Sequence, residues 1–179
     1  KPVIYLYPTV QTDISVKIDI DGSLTCTYPE YKDGWSVTAN PDGTLINKAD
    51  GREYSYLYWE GKGRANWNFS KGFVVKGTDT ISFLQEKLEY LGLNARELNE
   101  FIVYWLPLMK DNKYNLISFQ TTAYENNVKL EISPEPDNVL RVFMAYKPLG
   151  KYIEIPEQEL NTFKRSGFTV VEWGGTEVK

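Results

Sequence analysis

Between residues 13 and 20 the chain alternates without a slip. Ile14, Val16, Ile18 and Ile20 fall on one face of an extended segment, and Asp13, Ser15, Lys17 and Asp19 fall on the other. Successive side chains of a strand point to opposite sides, so this stretch buries one face only and commits the chain to a sheet packed on that side. Neighbouring runs are of the same kind. Val3–Tyr7 is wholly apolar, the pattern of a buried strand. Residues 23–28 follow the turn pair Asp21-Gly22 and are expected to return as a hairpin. Trp35–Ala39 and residues 44–47 flank Pro41-Asp42-Gly43 and read as a second hairpin, with residues 53–60 as one further strand and 72–76 as another.

The middle of the chain changes period. Ile81, Leu84, Leu88 and Leu91 recur at helical spacing, and Gly92 suits a helix stop. Asn94-Ala95-Arg96-Glu97 resembles a capping box with Asn as the cap, and Leu98, Phe101, Ile102 and Trp105 then share one face. Pro107 is expected at the end of this helix or at a kink in it, and the link at Gly92-Leu93 is short enough for a helical hairpin. Strands return at residues 116–121, 128–132, 139–147 and 168–173, with a turn at 134–138, and residues 148–165 read as irregular or as carrying a short helix near 158–163. Strand runs around a helical pair predict one α+β domain over residues 1–179, a largely antiparallel sheet or sandwich with the helical hairpin on one side.

Composition narrows the chemistry. The chain has no His and one Cys, so triads and metal sites built on imidazole, internal disulfides and paired-cysteine sites are all excluded. No phosphate-binding loop or cofactor motif is present, and neither cofactor nor metal is expected. A net charge of −4 and a pI near 5 argue against nucleic acid as a partner. No run of apolar residues is long enough to span a membrane. What remains is carboxylates and aromatic rings: 15% of the residues are Phe, Trp or Tyr, with 13 Tyr and 5 Trp.

Two constellations carry those groups. In the run from Tyr54 to Gly61, strand alternation puts Tyr54, Tyr56, Tyr58 and Glu60 on one face, with Leu57 and Trp59 opposite. Flat rings with hydroxyl tips beside a carboxylate suit a sugar or peptide ligand; the same rings also suit cross-strand packing. Trp35 and Trp67 flank turns and a polar loop, where an indole serves as a stacking surface or covers a sheet end. In the second run Glu172 stands between Val171 and Trp173, and Arg141 interrupts the apolar strand around it. An Arg141–Glu172 ion pair satisfies both, since an unpaired buried charge is costly. Alternatively Glu172 and Glu60 converge at a cleft as general acid and base, or nucleophile, on a glycosidic bond. Cys26 reads as a small buried residue or as half of a disulfide with an upstream partner.

The strings Lys1-Pro2-Val3-Ile4-Tyr5-Leu6-Tyr7-Pro8, Tyr56-Leu57-Tyr58-Trp59-Glu60, Tyr104-Trp105-Leu106-Pro107, Leu140-Arg141-Val142-Phe143-Met144 and the segment from Gly167 to Gly175 resemble an uncharacterised family of secreted or lipid-anchored proteins of Gram-positive bacteria. That resemblance implies an extracellular or cell-surface setting and brings no activity or catalytic residue with it. The abrupt start at Lys1, inside an apparent strand, carries the same expectation of an upstream leader or anchor.

Two functional classes follow. The first is a non-catalytic extracellular module that binds a glycan or other surface polymer through Tyr54, Tyr56, Tyr58, Glu60, Trp35 and Trp67. The alternative is a carboxylate-based hydrolase, a glycosidase, using Glu60 and Glu172. Protein interaction through an exposed sheet edge is a third, weaker expectation.

Overall fold

Apolar alternation sorts the strands, and the chain order then shows where it leaves one ladder for another. The computed structural model describes all 179 residues. The strands are β1 Val3–Tyr7, β2 Thr12–Ile20, β3 Gly22–Tyr28, β4 Trp35–Ala39, β5 Leu45–Asn47, β6 Glu53–Tyr54, β7 Leu57–Gly63, β8 Phe73–Lys76, β9 Tyr114–Phe119, β10 Val128–Ser133, β11 Asn138–Leu149 and β12 Thr169–Glu177. The helices are α1 Thr80–Leu91, α2 Ala95–Met109 and α3 Thr121–Asn127. This is the expected mixed α+β fold, dominated by antiparallel sheet with helices on one face.

Two compact units interleave along the chain. Lys1–Asn66, Thr121–Arg141 and Arg165–Trp173 form the first; Trp67–Gln120, Val142–Lys164 and Gly174–Lys179 form the second. The first unit holds a five-stranded sheet in the order β10-β2-β4-β5-β6 and a ladder in the order β3-β7-β1-β12. The alternation in β2 works as read: Ile14 and Val16 are buried, and Asp13, Ser15, Lys17 and Asp19 are exposed. The second unit holds β8, β9 and most of β11, with α1 and α2. Trp105 of α2 packs edge-on against Tyr146 at 6.0 Å, and its ring fills the space a side chain at Gly175 would need.

Helix α2 begins with the capping box: Asn94 accepts from the Glu97 amide while Glu97 accepts from the Asn94 amide. Pro107 lies inside the last turn of α2, close to the helix end. Strands β11 and β12 run parallel. The contacts Asn138–Thr169, Arg141–Glu172 and Tyr146–Glu177 keep a constant separation of 31 residues, as only parallel neighbours do.

Four local expectations are corrected. Asp21-Gly22 is not a hairpin: β2 pairs with β4 and β10, whereas β3 pairs with β7. The Asp21 amide donates to Asn127, and Gly22 (φ 153°) turns the chain into the other ladder. Residues 53–60 are not one strand, because Ser55 and Tyr56 bend the chain between β6 and β7. Of the two readings for 148–165 the irregular one holds and the short helix at 158–163 does not form; the Gln158 amide bonds both the N–H and the C=O of Phe119. Cys26 is exposed on β3, not buried.

Gly22 is required sterically as well as conformationally, since a Cβ there would sit 1.9 Å from the Lys62 carbonyl oxygen. Gly51 (φ 70°) has open space around it. Gly22→Ala is expected to cost about 2 kcal/mol or more, and Gly51→Ala about 1 kcal/mol, by urea midpoints. Equal midpoints for the two variants would contradict the steric argument.

Candidate functional site: a tyrosine face beside a buried ion pair

The register of the first unit decides which residues share a face. Residues directly opposite in an antiparallel pair lie on the same side of the sheet. Ile4 stands opposite both Leu57 and Glu172, so Leu57, Trp59 and Glu172 belong to one face. Val3 stands opposite Tyr58 and Trp173, so Tyr58 and Glu60 belong to the other. Glu60 and Glu172 therefore leave the sheet in opposite directions, and the alternative acid–base pair has no shared cleft. Nor do any three Asp, Glu or Cys side chains gather where they could hold a metal ion.

Glu172 is fully buried and fully employed. Its Oε1 accepts from Arg141 Nε at 2.8 Å and its Oε2 from Trp59 Nε1 at 3.2 Å. Arg141, 8% exposed, also donates through Nη1 to the Val128 carbonyl at 2.6 Å, and its guanidinium lies 4.6 Å from the Tyr124 ring centre. Burial, with the Glu172 charge adding to it, pushes the Tyr124 hydroxyl well above its ordinary pKa, so it stays neutral beside the pair. On the opposite face Trp173 Nε1 donates to the Tyr5 hydroxyl at 2.9 Å. This is the ion pair the sequence offered as the alternative to a cleft.

The other face carries the tyrosines. Tyr58 is directly opposite Tyr28, and Glu60 opposite Cys26. Tyr28 is 62% exposed and Cys26 is exposed, while Tyr58 and Glu60 are half-buried. Tyr56, also half-buried, meets Tyr5 edge-on at 5.7 Å, and Tyr5 stacks on Tyr7 with the rings 6.1 Å apart. Lys1 Nζ lies 5.7 Å from the Tyr58 ring centre. Edge-to-face and offset contacts of this kind fix ring orientation without consuming the outer edges.

Three expected members stand elsewhere. Tyr54 belongs to β6 of the five-stranded sheet and is buried; it supports the exposed face by packing edge-on against Tyr28 at 5.1 Å. Its hydroxyl donates to Asp50 at 2.5 Å, and that bond pushes its pKa up to about 12. Trp35 is 2% exposed, packs against Tyr31 and donates to the Pro29 carbonyl, so its ring faces are used internally. Trp67 lies in the second unit, half-buried and stacked on Phe143 at 4.8 Å. Tyr28 is the member that residue patterning did not single out. Its period-2 relation to Cys26 was visible, but only the β3–β7 register places it opposite Tyr58.

Comparison with known proteins adds one relative. Over 64 residues the chain is 48% identical to a Butyrivibrio fibrisolvens protein described as "Uncharacterized protein in bglA 3'region". The match covers 34% of this chain and 65% of that protein, so the chain spans less than two thirds of the relative's length. A related, uncharacterised bacterial protein thus exists. No protein-family model and no solved structure matches the chain.

Removing one partner of the buried pair should be far costlier than removing both. Arg141→Ala is expected to destabilise by about 3–5 kcal/mol, because it strands Glu172 in the interior. The double change Arg141→Met with Glu172→Leu should cost clearly less than either single change. Denaturant titration of the set checks this, and a double variant as unstable as the sum of the singles would contradict it.

Proposed function

We propose that the protein is a non-catalytic extracellular binding module, and that the Tyr28–Tyr56–Tyr58–Glu60 face takes a glycan or another surface polymer. The observation that carries the reading is the juxtaposition itself. Hydroxyl-tipped rings flank a half-buried carboxylate on an open part of the β3–β7 face. Rings of this kind stack on the apolar faces of sugar residues, while the phenol groups and the carboxylate exchange hydrogen bonds with hydroxyl groups. A repeating polymer suits a sheet surface, which offers contacts in a row rather than one enclosed pocket. The hydrolase alternative loses its support because its two carboxylates lie on opposite faces and one of them is fully engaged by Arg141 and Trp59.

The test is a binding screen of the purified chain against soluble glycans and peptidoglycan fragments, followed by titration of the best ligand into variants. Glu60→Gln keeps the side chain's shape, removes its charge and adds donors. It should leave the fold intact and weaken binding by about 1–3 kcal/mol, the order of a charge-assisted hydrogen bond. Tyr28→Ala and Tyr58→Ala should weaken it as well, whereas Trp67→Phe in the second unit should not. Unchanged affinity in both tyrosine variants would remove this face from consideration. Turnover of the ligand that Glu60→Gln abolishes would establish the catalytic reading instead.

A further inference from the structure

In the second unit β8 is an outer strand, with β9 as its one strand neighbour. The direction of its main-chain groups follows from the bonds at its two ends. The Gly77 amide donates to the Lys113 carbonyl on the β9 side. Gly72 turns the other way, to the irregular strap over residues 150–164: it donates to the Pro156 carbonyl at 3.0 Å and accepts from the Gln158 amide at 3.3 Å. Main-chain groups of a strand alternate in direction, so Phe73 and Val75 face β9, and Val74 faces outward as Gly72 does. The strap pairs with this edge at Gly72 alone, as a single parallel bridge. Beyond it no residue of the chain bonds the Val74 N–H or C=O.

That part of the edge is open. A hollow of about 390 Å³ lies along it, between Phe83, Glu86 and Lys87 of α1 and Tyr152, Ile155 and Glu157 of the strap. A second hollow, of about 520 Å³, shares Phe73, Glu86, Lys87 and Glu157 with the first and continues past Glu89 and Tyr90. The walls combine apolar surface with acid. Phe83 and Ile155 are half-buried, and the Tyr90 and Tyr152 rings are 51% and 59% exposed. Three carboxylates, those of Glu86, Glu89 and Glu157, stand against one ammonium, that of Lys87. Its Nζ is already engaged, 5.2 Å from the Phe73 ring centre and 3.6 Å from Glu86. Glu89 and Glu157 make no ion pair, and Lys76, at the end of the strand, lines neither hollow.

We infer that this slot between β8, α1 and the strap takes an extended, lysine- or arginine-bearing segment of a partner protein as an added strand. An unpaired edge is a template for another strand, and main-chain bonds supply the affinity of such an addition while the walls supply its specificity. The added strand bonds the Val74 N–H and C=O, carrying on along the edge from the contact the strap makes at Gly72. The walls select a basic segment. The aliphatic stems of lysine and arginine cover Phe83 and Ile155, and their charged ends reach Glu86, Glu89 and Glu157. The exposed Tyr90 and Tyr152 rings add cation–π contact. An acidic strand would meet like charge on both walls. The site belongs to the second unit and shares no residue with the tyrosine face, so peptide binding here is a separate event from glycan binding there.

The experiment titrates the full chain into a dye-labelled, end-blocked peptide that alternates lysine with valine, read by fluorescence anisotropy. Binding should saturate, and the matching peptide that alternates glutamate with valine should bind about tenfold more weakly or worse. The double change Glu86→Lys with Glu157→Lys should raise the dissociation constant for the lysine peptide by about tenfold or more. Val74→Pro removes only the outward N–H, which an edge strand tolerates, and should abolish binding in a chain whose circular dichroism is unchanged. Should that variant not fold, hydrogen exchange of the isotope-labelled wild type decides. The lysine peptide should slow exchange at the Val74 amide and leave the Val75 amide, already turned to β9, at its former rate. A chain that does not bind the lysine peptide, or binds the glutamate peptide as well, would overturn the inference. So would binding that leaves the Val74 amide unprotected, or that survives Val74→Pro in a folded chain.

Discussion

The Arg141–Glu172 pair sits where β11 and β12 run side by side, and the local order of the first unit follows from the need to satisfy it. A carboxylate with no exposure and a guanidinium nearly as buried are tolerable only as a bonded pair, and even here the buried Arg141 Nη2 is left without a hydrogen-bond partner. Glu172 uses both oxygens, one on Arg141 and one on Trp59, which ties β12 to β7 across β1. Arg141 uses a second nitrogen on the Val128 carbonyl, which ties β11 to the first residue of β10. One ion pair thus fixes the register of three segments that lie far apart in sequence. Such a pair contributes little net stability compared with apolar residues of the same size; its effect is on which arrangement is allowed. A one-residue slip of β12 would point Glu172 at the opposite face and leave Arg141 alone.

The same constraint determines what the opposite face presents. With Glu172, Trp59 and Leu57 held inward on one side, Tyr58 and Glu60 must emerge on the other. Buried Tyr5 and Tyr54 then act as supports: Tyr5 beneath Tyr56, and Tyr54 against the exposed Tyr28. Tyr54 is itself held by its bond to Asp50. An exposed ring backed by a fixed ring loses little freedom when a ligand arrives, which is what a binding surface of modest area needs.

Much of this was legible in the sequence, for reasons that differ by element. Strand β2 and helix α2 carry unbroken periodicity and a capping box, and both form as read. Arg141 and Glu172 could be paired because each interrupts an apolar run, and burial leaves a charge few other choices. Helix α3 was missed because residues 121–127 contain one buried side chain, Tyr124, and one side chain makes no stripe. Asp21-Gly22 carries a hairpin's local signal, but a positive-φ glycine also suits a crossing between ladders, and local chemistry does not distinguish them. The face assignments of Glu60 and Glu172 were out of reach for a deeper reason. Alternation within one strand says which residues share a side; only pairing between strands says which side that is.

On the proposed reading a ligand meets the tyrosine face while the buried pair behind the sheet stays undisturbed. NMR titration of the isotope-labelled chain with the best soluble fragment from the screen distinguishes the two surfaces. Ring resonances of Tyr28 and Tyr58 and the side-chain carboxyl of Glu60 should shift together and saturate with one dissociation constant. The Trp59 Nε1–H and Arg141 Nε–H signals, held by Glu172, should stay in place. Shifts centred on Trp67 and Phe143, or on the Glu172 bonds with the tyrosines unchanged, would contradict it.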